Sequence, residues 1–260
     1  MNEETVLLSI EGHVGIITLN REKKLNAMDN HMTSLLYERI REAGENNSIK
    51  AIVITGKGKA FSAGSDINEY GKMTKIVEYA EHQRLGRVLF DYIENTGKPI
   101  IAAVNGYCLG GGIELALACD LIVSSPEAKY GDPSLRLGVV PGGGTTQRLT
   151  RLIGRNKTKE LLFTGEFLSA QEAKELGMVN LIVPADSLIE ETRRMALKII
   201  SMPPLSLAKA KKLVNEGAES PLNVALSYEI ESTIALYGTA DAREGLSAFI
   251  EKREPHFKGE

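Results

Sequence analysis

The chain has 260 residues, of which 43% are hydrophobic and 25% are charged, the ordinary composition of a folded globular protein. Its 31 basic and 34 acidic side chains leave a formal net charge of −3, so the basic excess of a general nucleic-acid-binding surface is missing. No apolar stretch approaches the ~20 residues that span a bilayer, and the two cysteines favour a reducing compartment over a disulfide framework. Residues 1–4 include two glutamates and do not look like a secretory signal, so we expect a cytoplasmic protein.

The first two thirds of the chain alternate short apolar strands with helices. Residues 6–10 and 14–19 predict a hairpin, and apolar side chains at helical spacing predict an amphipathic helix over 26–43. Further strands are predicted at 51–55, 99–104, 121–124 and 180–183, and further helices at 76–94, 113–118, 144–152, 157–163 and 170–176. Short buried strands that alternate with helices indicate a layered α/β core with parallel strand pairing.

The pattern changes after residue 185, where helical segments continue without strands. Three helices are predicted between residues 186 and 251, separated by Pro203-Pro204 and by Pro221. Recurring leucines and isoleucines give these helices apolar faces that the core or another subunit must cover. The sequence therefore divides into a core, 1–190, and a C-terminal helical region, 191–260.

Small residues stand where two predicted strands end. One segment is Phe61-Ser62-Ala63-Gly64-Ser65-Asp66, for which a simple strand-to-loop connection is the commoner explanation. The other is Gly110-Gly111-Gly112, and three glycines opening a helix cost roughly 1 kcal/mol each in an interior position. Close approach of a ligand to backbone N–H groups, or tight packing of the helix on a sheet, must offset that cost. If the two segments face each other, their amides can hold an oxygen that becomes negative during a reaction.

Glu114 follows the three glycines in a very apolar segment. Burial there raises the pKa of a carboxyl group toward a range useful for acid/base chemistry, although a glutamate that caps its own helix explains the position equally well. Asp132 and Ser134 lie in a later glycine- and proline-rich cluster and can reach the same cleft, although turn residues are the commoner explanation. The four histidines show no spacing of a metal site or a nucleophile triad.

Taken together, these segments resemble the crotonase superfamily, the enoyl-CoA hydratase/isomerase family, over residues 14–258. The matching segments are Leu19-Asn20-Arg21, Leu25-Asn26-Ala27-Met28, 59–66, 98–106, 110–115, Cys119-Asp120, 141–149, 163–165, 170–173, 177–180 and 251–253. The resemblance implies an α/β fold, a spiral of strand–strand–helix units whose C-terminal helices form a trimerisation region. It also implies homotrimers or homohexamers, built as dimers of trimers, that act on acyl-CoA thioesters with no metal or redox cofactor. The balanced charge and the lack of a long apolar stretch predict no nucleic-acid partner and no membrane.

The resemblance assigns roles to particular residues. The backbone N–H groups of Ser65 and Gly111 map onto the family's oxyanion hole, and Glu114 maps onto a catalytic glutamate. The positions implied for coenzyme A are Lys23, Lys24, Leu25, Ala27, Lys59, Ala63, Ser65, Asp66, Ile67 and Gly111, with Phe257 and Lys258 reaching a neighbouring subunit's ligand. The lysines suit the phosphates of coenzyme A as point charges.

The chain departs from the family at one catalytic position. Hydratases of this family usually carry a second glutamate in a Pro-Glu segment, which here reads Pro133-Ser134. The leading hypothesis is an enoyl-CoA hydratase-like lyase in which Glu114 is the acid/base and Ser134 positions water, with Asp132 or Glu69 as possible substitutes for the missing acid. The alternatives are an enoyl-CoA isomerase, a thioester hydrolase, a decarboxylase, or an acyl-CoA-binding protein without catalysis.

Overall fold

The computed structural model describes residues 4–260, so the expectation about the first four residues falls largely outside it. The strands are β1 (Val6–Glu11), β2 (Val14–Leu19), β3 (Ala51–Gly56), β4 (Ala60–Ser62), β5 (Ile100–Val104), β6 (Tyr107–Leu109), β7 (Leu121–Ser124), β8 (Lys129–Gly131), β9 (Leu168–Ser169) and β10 (Leu181–Ile182). The helices are α1 (Asn30–Glu45), α2 (Ile67–Tyr70), α3 (Ile76–Asn95), α4 (Gly111–Ala118), α5 (Thr150–Ile153), α6 (Arg155–Thr164), α7 (Ala170–Glu175), α8 (Leu188–Ile200), α9 (Pro204–Gly217), α10 (Leu222–Tyr237) and α11 (Ala240–Glu251).

The strands form two sheets that the chain visits in turn. The larger sheet has six strands in the order β1-β2-β3-β5-β7-β10, with all pairs parallel except the β1–β2 hairpin. The smaller sheet has four strands in the order β4-β6-β8-β9, of which the first three are parallel. Strands β3, β5 and β7 of the larger sheet each lead directly into a strand of the smaller one, and helices follow. This confirms the predicted α/β spiral of strand–strand–helix units.

The larger sheet is buried on both faces. Along β3, Ile52 and Ile54 belong to a buried apolar cluster that includes side chains of α1, α3 and α4. Ala51 and Val53 point to the opposite face and belong to a second cluster with side chains of α8, and all four residues are fully buried. Burial of an isoleucine side chain contributes roughly 1.5–3 kcal/mol to the stability of the fold. Both layers therefore hold β3 and β5 in place, and the short strands β4 and β6 follow directly after them. Helix α8 crosses residue 190 and packs on the sheet, while the proposed division of the chain at that residue stays a prediction.

Two features of the fold differ from the sequence prediction in the core. The helix predicted over 26–43 begins only at Asn30, because the Asp29 side chain caps it by accepting a hydrogen bond from Met32 N (2.8 Å). Leu25 and Asn26 before it have positive φ angles of 50° and 54°, which no helix accepts. The short strands β4, β6, β8 and β9 were not predicted, since two or three residues are too few to show an alternating pattern.

The C-terminal region has four helices where three were predicted. The unrecognised break lies between α10 and α11, where Thr239 caps the last helix by accepting a hydrogen bond from Ala242 N (3.1 Å). Apolar side chains on these helices are exposed in the single chain, including Leu222 (74%), Ile234 (69%) and Phe249 (86%). Within residues 4–260 no helix is both long and apolar enough to cross a membrane.

Candidate active site

Two main-chain amides lie side by side where the 62–65 segment meets the start of α4. A Cβ placed on Gly64 would lie 2.9 Å from the Gly111 nitrogen, and a Cβ placed on Gly111 would lie 3.5 Å from the Ser65 nitrogen. Across residues 4–260, neither the Ser65 N–H nor the Gly111 N–H donates a hydrogen bond to the protein, although the flanking Asp66 N–H pairs with the Met28 carbonyl. The pair is therefore free to bind one oxygen at the positive end of a helix.

Glycine is required at several of these positions. Gly64 has φ +93°, and its Cβ would also lie 2.8 Å from the Leu109 carbonyl oxygen. The Cβ of an alanine at position 112 would lie 2.3 Å from the Ser62 carbonyl oxygen. Side chains there would push α4 away from the 62–65 segment, so close packing accounts for these glycines, while the close approach of a ligand stays a prediction.

Glu114 lies on the first turn of α4 and is only 7% exposed. Its Oε1 accepts hydrogen bonds from Gly143 N (2.6 Å) and Thr145 N (3.3 Å), so it does not cap its own helix. Burial and then the negative charge of Asp132 raise the pKa of Glu114 to about 7, against the opposing effect of the two amides and of Arg148. Within the described chain no donor reaches Oε2, which leaves that oxygen available for proton transfer.

Ser134 and Asp132 form a hydrogen-bonded pair in which Ser134 lines the cavity and Asp132 lies behind it. The Ser134 hydroxyl donates a short hydrogen bond to Asp132 Oδ1, and the Ser134 N–H donates to the same oxygen at 3.1 Å. The Thr145 hydroxyl donates to Asp132 Oδ2 at 2.7 Å. Asp132 is 2% exposed and does not line the cavity, whereas Ser134 does. Because the Ser134 hydroxyl gives its hydrogen to Asp132, its oxygen can take part in a further hydrogen bond only as an acceptor.

One cavity of about 320 Å³ is lined by all four predicted catalytic residues, Ser65, Gly111, Glu114 and Ser134. Most of the remaining wall is apolar, and it is formed by Met28, Ile67, Leu89, Phe90, Leu137, Val139, Val140 and Pro141. An apolar wall with a few convergent polar groups is typical of a small-molecule binding site. Glu69 is not among the residues that line this cavity, and its carboxylate accepts a hydrogen bond from Asn30 N (2.8 Å).

Sequence reasoning missed His82, Tyr70 and Gln83, which line the same cavity from the region of α2 and α3. His82 Nε2 lies 3.4 Å from Ser65 Oγ, and His82 Nδ1 lies 2.7 Å from Asn30 Oδ1. No local sequence motif could have predicted these contacts, because Asn30, Ser65 and His82 lie in three separate segments of the chain. The two amides that donate to Glu114, Gly143 N and Thr145 N, were also not predicted, although they belong to the glycine- and proline-rich part of the sequence that follows Asp132.

Most of the positions implied for coenzyme A lie around the 62–65 segment that carries the Ser65 amide. Loop 23–27 is tied to it by the hydrogen bond from Ala63 N to the Leu25 carbonyl (2.9 Å). Lys23, Lys24 and Lys59 are exposed there, whereas the Asp66 carboxylate is engaged by Arg21 at 3.0 Å. Burial raises the pKa of Asp66, but hydrogen bonds from Arg21 and Asn68 outweigh it, so the pKa is lowered overall and Asp66 acts locally as an anchor.

Phe257 and Lys258 lie in a different place. They line a separate cavity of about 450 Å³ with His13, Lys50 and Lys98, and the Lys258 N–H donates to Asp241 (2.7 Å). The structure thus keeps both residues away from the catalytic cavity of their own chain. Their predicted contact with a neighbouring subunit's ligand stays a prediction.

The site combines three chemical functions. Two free amides can stabilise a carbonyl oxygen as it gains negative charge, and Glu114 can exchange a proton near neutral pH. The Ser134 oxygen can accept a hydrogen bond from a water molecule. No cluster of three or more metal-ligating side chains occurs within residues 4–260. The arrangement suits proton transfer next to a carbonyl group.

Comparisons with known proteins agree with this chemistry. The family model described as enoyl-CoA hydratase/isomerase matches residues 9–260. A probable mitochondrial enoyl-CoA hydratase of Dictyostelium discoideum is 42% identical over 245 residues, 94% of this chain and 87% of the relative. A short-chain-enoyl-CoA hydratase of Clostridium acetobutylicum is 38% identical over 255 residues, 98% of this chain and 97% of the relative.

Solved structures extend the match to the whole fold. The crystal structure of an enoyl-CoA hydratase from Bacillus anthracis superposes with a TM-score of 0.95 at 37% identity, over 99% of this chain and 100% of that one. An enoyl-CoA hydratase subunit from Geobacillus kaustophilus superposes with a TM-score of 0.94 at 41% identity, over 99% of both chains.

Proposed function

Because the chain belongs to the enoyl-CoA hydratase/isomerase family, we propose that it adds water across the double bond of 2-enoyl-CoA thioesters. The observation that carries this proposal is the placement of two unpaired amides and the Glu114 carboxylate in one cavity. The reaction uses the thioester substrate and water, with no metal or redox cofactor.

In the proposed reaction the thioester oxygen accepts hydrogen bonds from Ser65 N and Gly111 N. Glu114 takes a proton from water as the water oxygen bonds to the β-carbon, and the displaced electron pair moves through the α-carbon onto the thioester oxygen. The two amides hold the resulting enolate, and loss of one such donor costs roughly 3 kcal/mol of barrier. Glu114 then returns a proton to the α-carbon, which completes the hydration.

A single glutamate serves both proton transfers because its pKa of about 7 matches the operating pH. Ser134 contributes orientation rather than acidity, since its hydroxyl hydrogen is given to Asp132 and its oxygen accepts from the attacking water. Relatives named as hydratases favour hydration as the main activity over isomerisation, thioester hydrolysis, decarboxylation and binding without catalysis.

The test is hydration of crotonyl-CoA, followed by the loss of absorbance of its conjugated double bond. We expect wild-type turnover and a decrease in kcat of about 10²- to 10⁴-fold for Glu114→Gln. Glu190→Gln, which changes an exposed glutamate on α8, serves as the matched control. Wild-type protein that binds enoyl-CoA esters of several chain lengths but hydrates none of them would reject the proposal, as would an unchanged rate for Glu114→Gln.

The same proposal includes assembly into a homotrimer or homohexamer in the cytoplasm. The exposed apolar side chains of α10 and α11 support assembly, because patches of this kind are costly in water. In the assembly, Lys23, Lys24 and Lys59 would bind the phosphates of coenzyme A, and Phe257 and Lys258 would contact the ligand of a neighbour. Mass determination by light scattering tests the assembly, and a monomer at micromolar concentration would contradict it.

A further inference from the structure

The catalytic cavity contains a second set of reactive side chains besides Glu114. Ser65 Oγ lies 3.4 Å from His82 Nε2, and His82 Nδ1 lies 2.7 Å from Asn30 Oδ1. An amide oxygen only accepts, so this contact places the ring proton on Nδ1 and leaves the Nε2 lone pair facing the Ser65 hydroxyl. Ser65 Oγ, the His82 imidazole and Asn30 Oδ1 are therefore arranged as a nucleophile, its general base and the acceptor that orients the base.

The imidazole is held in a state suited to act as a base. Burial lowers the pKa of His82, with the Glu69 carboxylate opposing, so the ring is neutral at physiological pH. The Tyr70 ring packs edge-on against it at 5.7 Å and restricts its orientation. Ser65 and His82 are both half-buried and both line the cavity, so a bound substrate reaches them.

The backbone of Ser65 supplies the remaining requirement. In chymotrypsin-type serine proteases the N–H of the nucleophilic serine is itself one of the two oxyanion donors. The Ser65 N–H is one of the two unpaired amides at this site, with Gly111 N–H as the other. A thioester oxygen bound to this pair therefore brings its carbonyl carbon to the same residue that carries the hydroxyl.

We propose that Ser65, His82 and Asn30 form a nucleophile, base and orienting group that hydrolyse saturated acyl-CoA thioesters in this cavity, as a second activity beside hydration. The proposal rests on the proposed function only for the identity of the thioester. Saturated esters are the chosen substrates because they have no double bond to hydrate, so the release of coenzyme A from them reports hydrolysis without competing hydration.

The steps balance without a further reactant. Ser65 Oγ bonds to the carbonyl carbon, its proton passes to His82 Nε2, and the carbonyl electron pair moves onto the oxygen held by the two amides. The C–S bond then breaks, and the sulfur leaves with the electron pair and takes the proton from His82. Water next attacks the acyl-Ser65 ester with His82 as the base, and His82 returns that proton to Ser65 Oγ as the ester C–O bond breaks. The products are free coenzyme A and a carboxylic acid.

The experiment uses full-length protein and butyryl-CoA, with free coenzyme A measured by chromatography and the acyl-enzyme by intact mass. We expect release above a protein-free blank and a decrease of about 10²-fold in Ser65→Ala and in His82→Gln. The butyryl adduct should be absent from Ser65→Ala. Asn30→Asp keeps an acceptor for His82 and should release more coenzyme A than Asn30→Ala, a rescue that a purely structural role would not produce.

Glu114→Gln separates this proposal from the hydratase proposal. We expect this variant to lose crotonyl-CoA hydration while it still releases coenzyme A from butyryl-CoA. Equal loss of both reactions would overturn the inference, because it would assign hydrolysis to water activated by Glu114. Hydration by the wild type without any release from butyryl-CoA would also overturn it and leave the hydratase proposal standing. Release without hydration would support the inference and reject the hydratase proposal.

Discussion

Replacement of Glu114 by glutamine should stabilise the folded protein at alkaline pH. Glu114 has an ordinary pKa of 4.5 that burial and the charge of Asp132 raise to about 7 in the folded protein. The folded state therefore keeps a proton that the unfolded state releases between these two values. The contribution of Glu114 to the free energy of unfolding is highest below pH 4.5, falls as the pH rises toward 7, and then levels off.

The size of the effect follows from the two pKa values. The shift of the Glu114 pKa from 4.5 to about 7 lowers the free energy of unfolding by about 3 kcal/mol at pH 8 and by about 1 kcal/mol at pH 5. Glutamine cannot ionise, and its amide oxygen still accepts the hydrogen bond from Gly143 N. Glu114→Gln should therefore gain about 2 kcal/mol of stability relative to wild type between pH 5 and pH 8.

Urea unfolding at both pH values, at one fixed protomer concentration, measures this gain. Glu190→Gln is the control, because an exposed glutamate should give no gain that depends on pH. A stability difference between Glu114→Gln and wild type that stays the same at pH 5 and pH 8 would refute the reasoning. It would mean that Glu114 is not buried as a neutral acid.

Two further substitutions test the site. Asp132→Asn removes the charge beside Glu114, so the acidic limb of the kcat profile for crotonyl-CoA hydration should move by about one pH unit below its wild-type position near 7; an unmoved limb would show that Asp132 does not tune Glu114. Gly112→Ala brings a Cβ within 2.3 Å of the Ser62 carbonyl oxygen and should lower kcat by about 10²-fold, whereas Gly217→Ala, whose Cβ meets Ala225 at 3.6 Å, should not; equal rates would contradict the close packing at α4.

The chain's local patterns predicted most of the fold and the centre of the site. Alternating apolar strands and helices indicated the layered core, and the glycines before Glu114 indicated an exposed backbone beside a buried carboxylate. Prediction failed where the signal was too short or not local. Strands of two or three residues show no period, and the helix break at Thr239 depends on one cap. His82 stands 17 residues from Ser65 along the chain, so only the fold reveals their contact.

Position 134 carries a serine, yet a second negative charge still lies close to Glu114. The Asp132 carboxylate carries this charge. It is 2% exposed and is separated from the cavity by the Ser134 hydroxyl, which donates a hydrogen bond to it. There it cannot touch substrate, yet it still acts on Glu114 and raises its pKa. A glutamate with a pKa of about 7 gives up and takes back a proton with little cost in either direction. The buried aspartate thus supports a mechanism in which one carboxylate performs both proton transfers, and the Ser134 oxygen only has to hold the water in place.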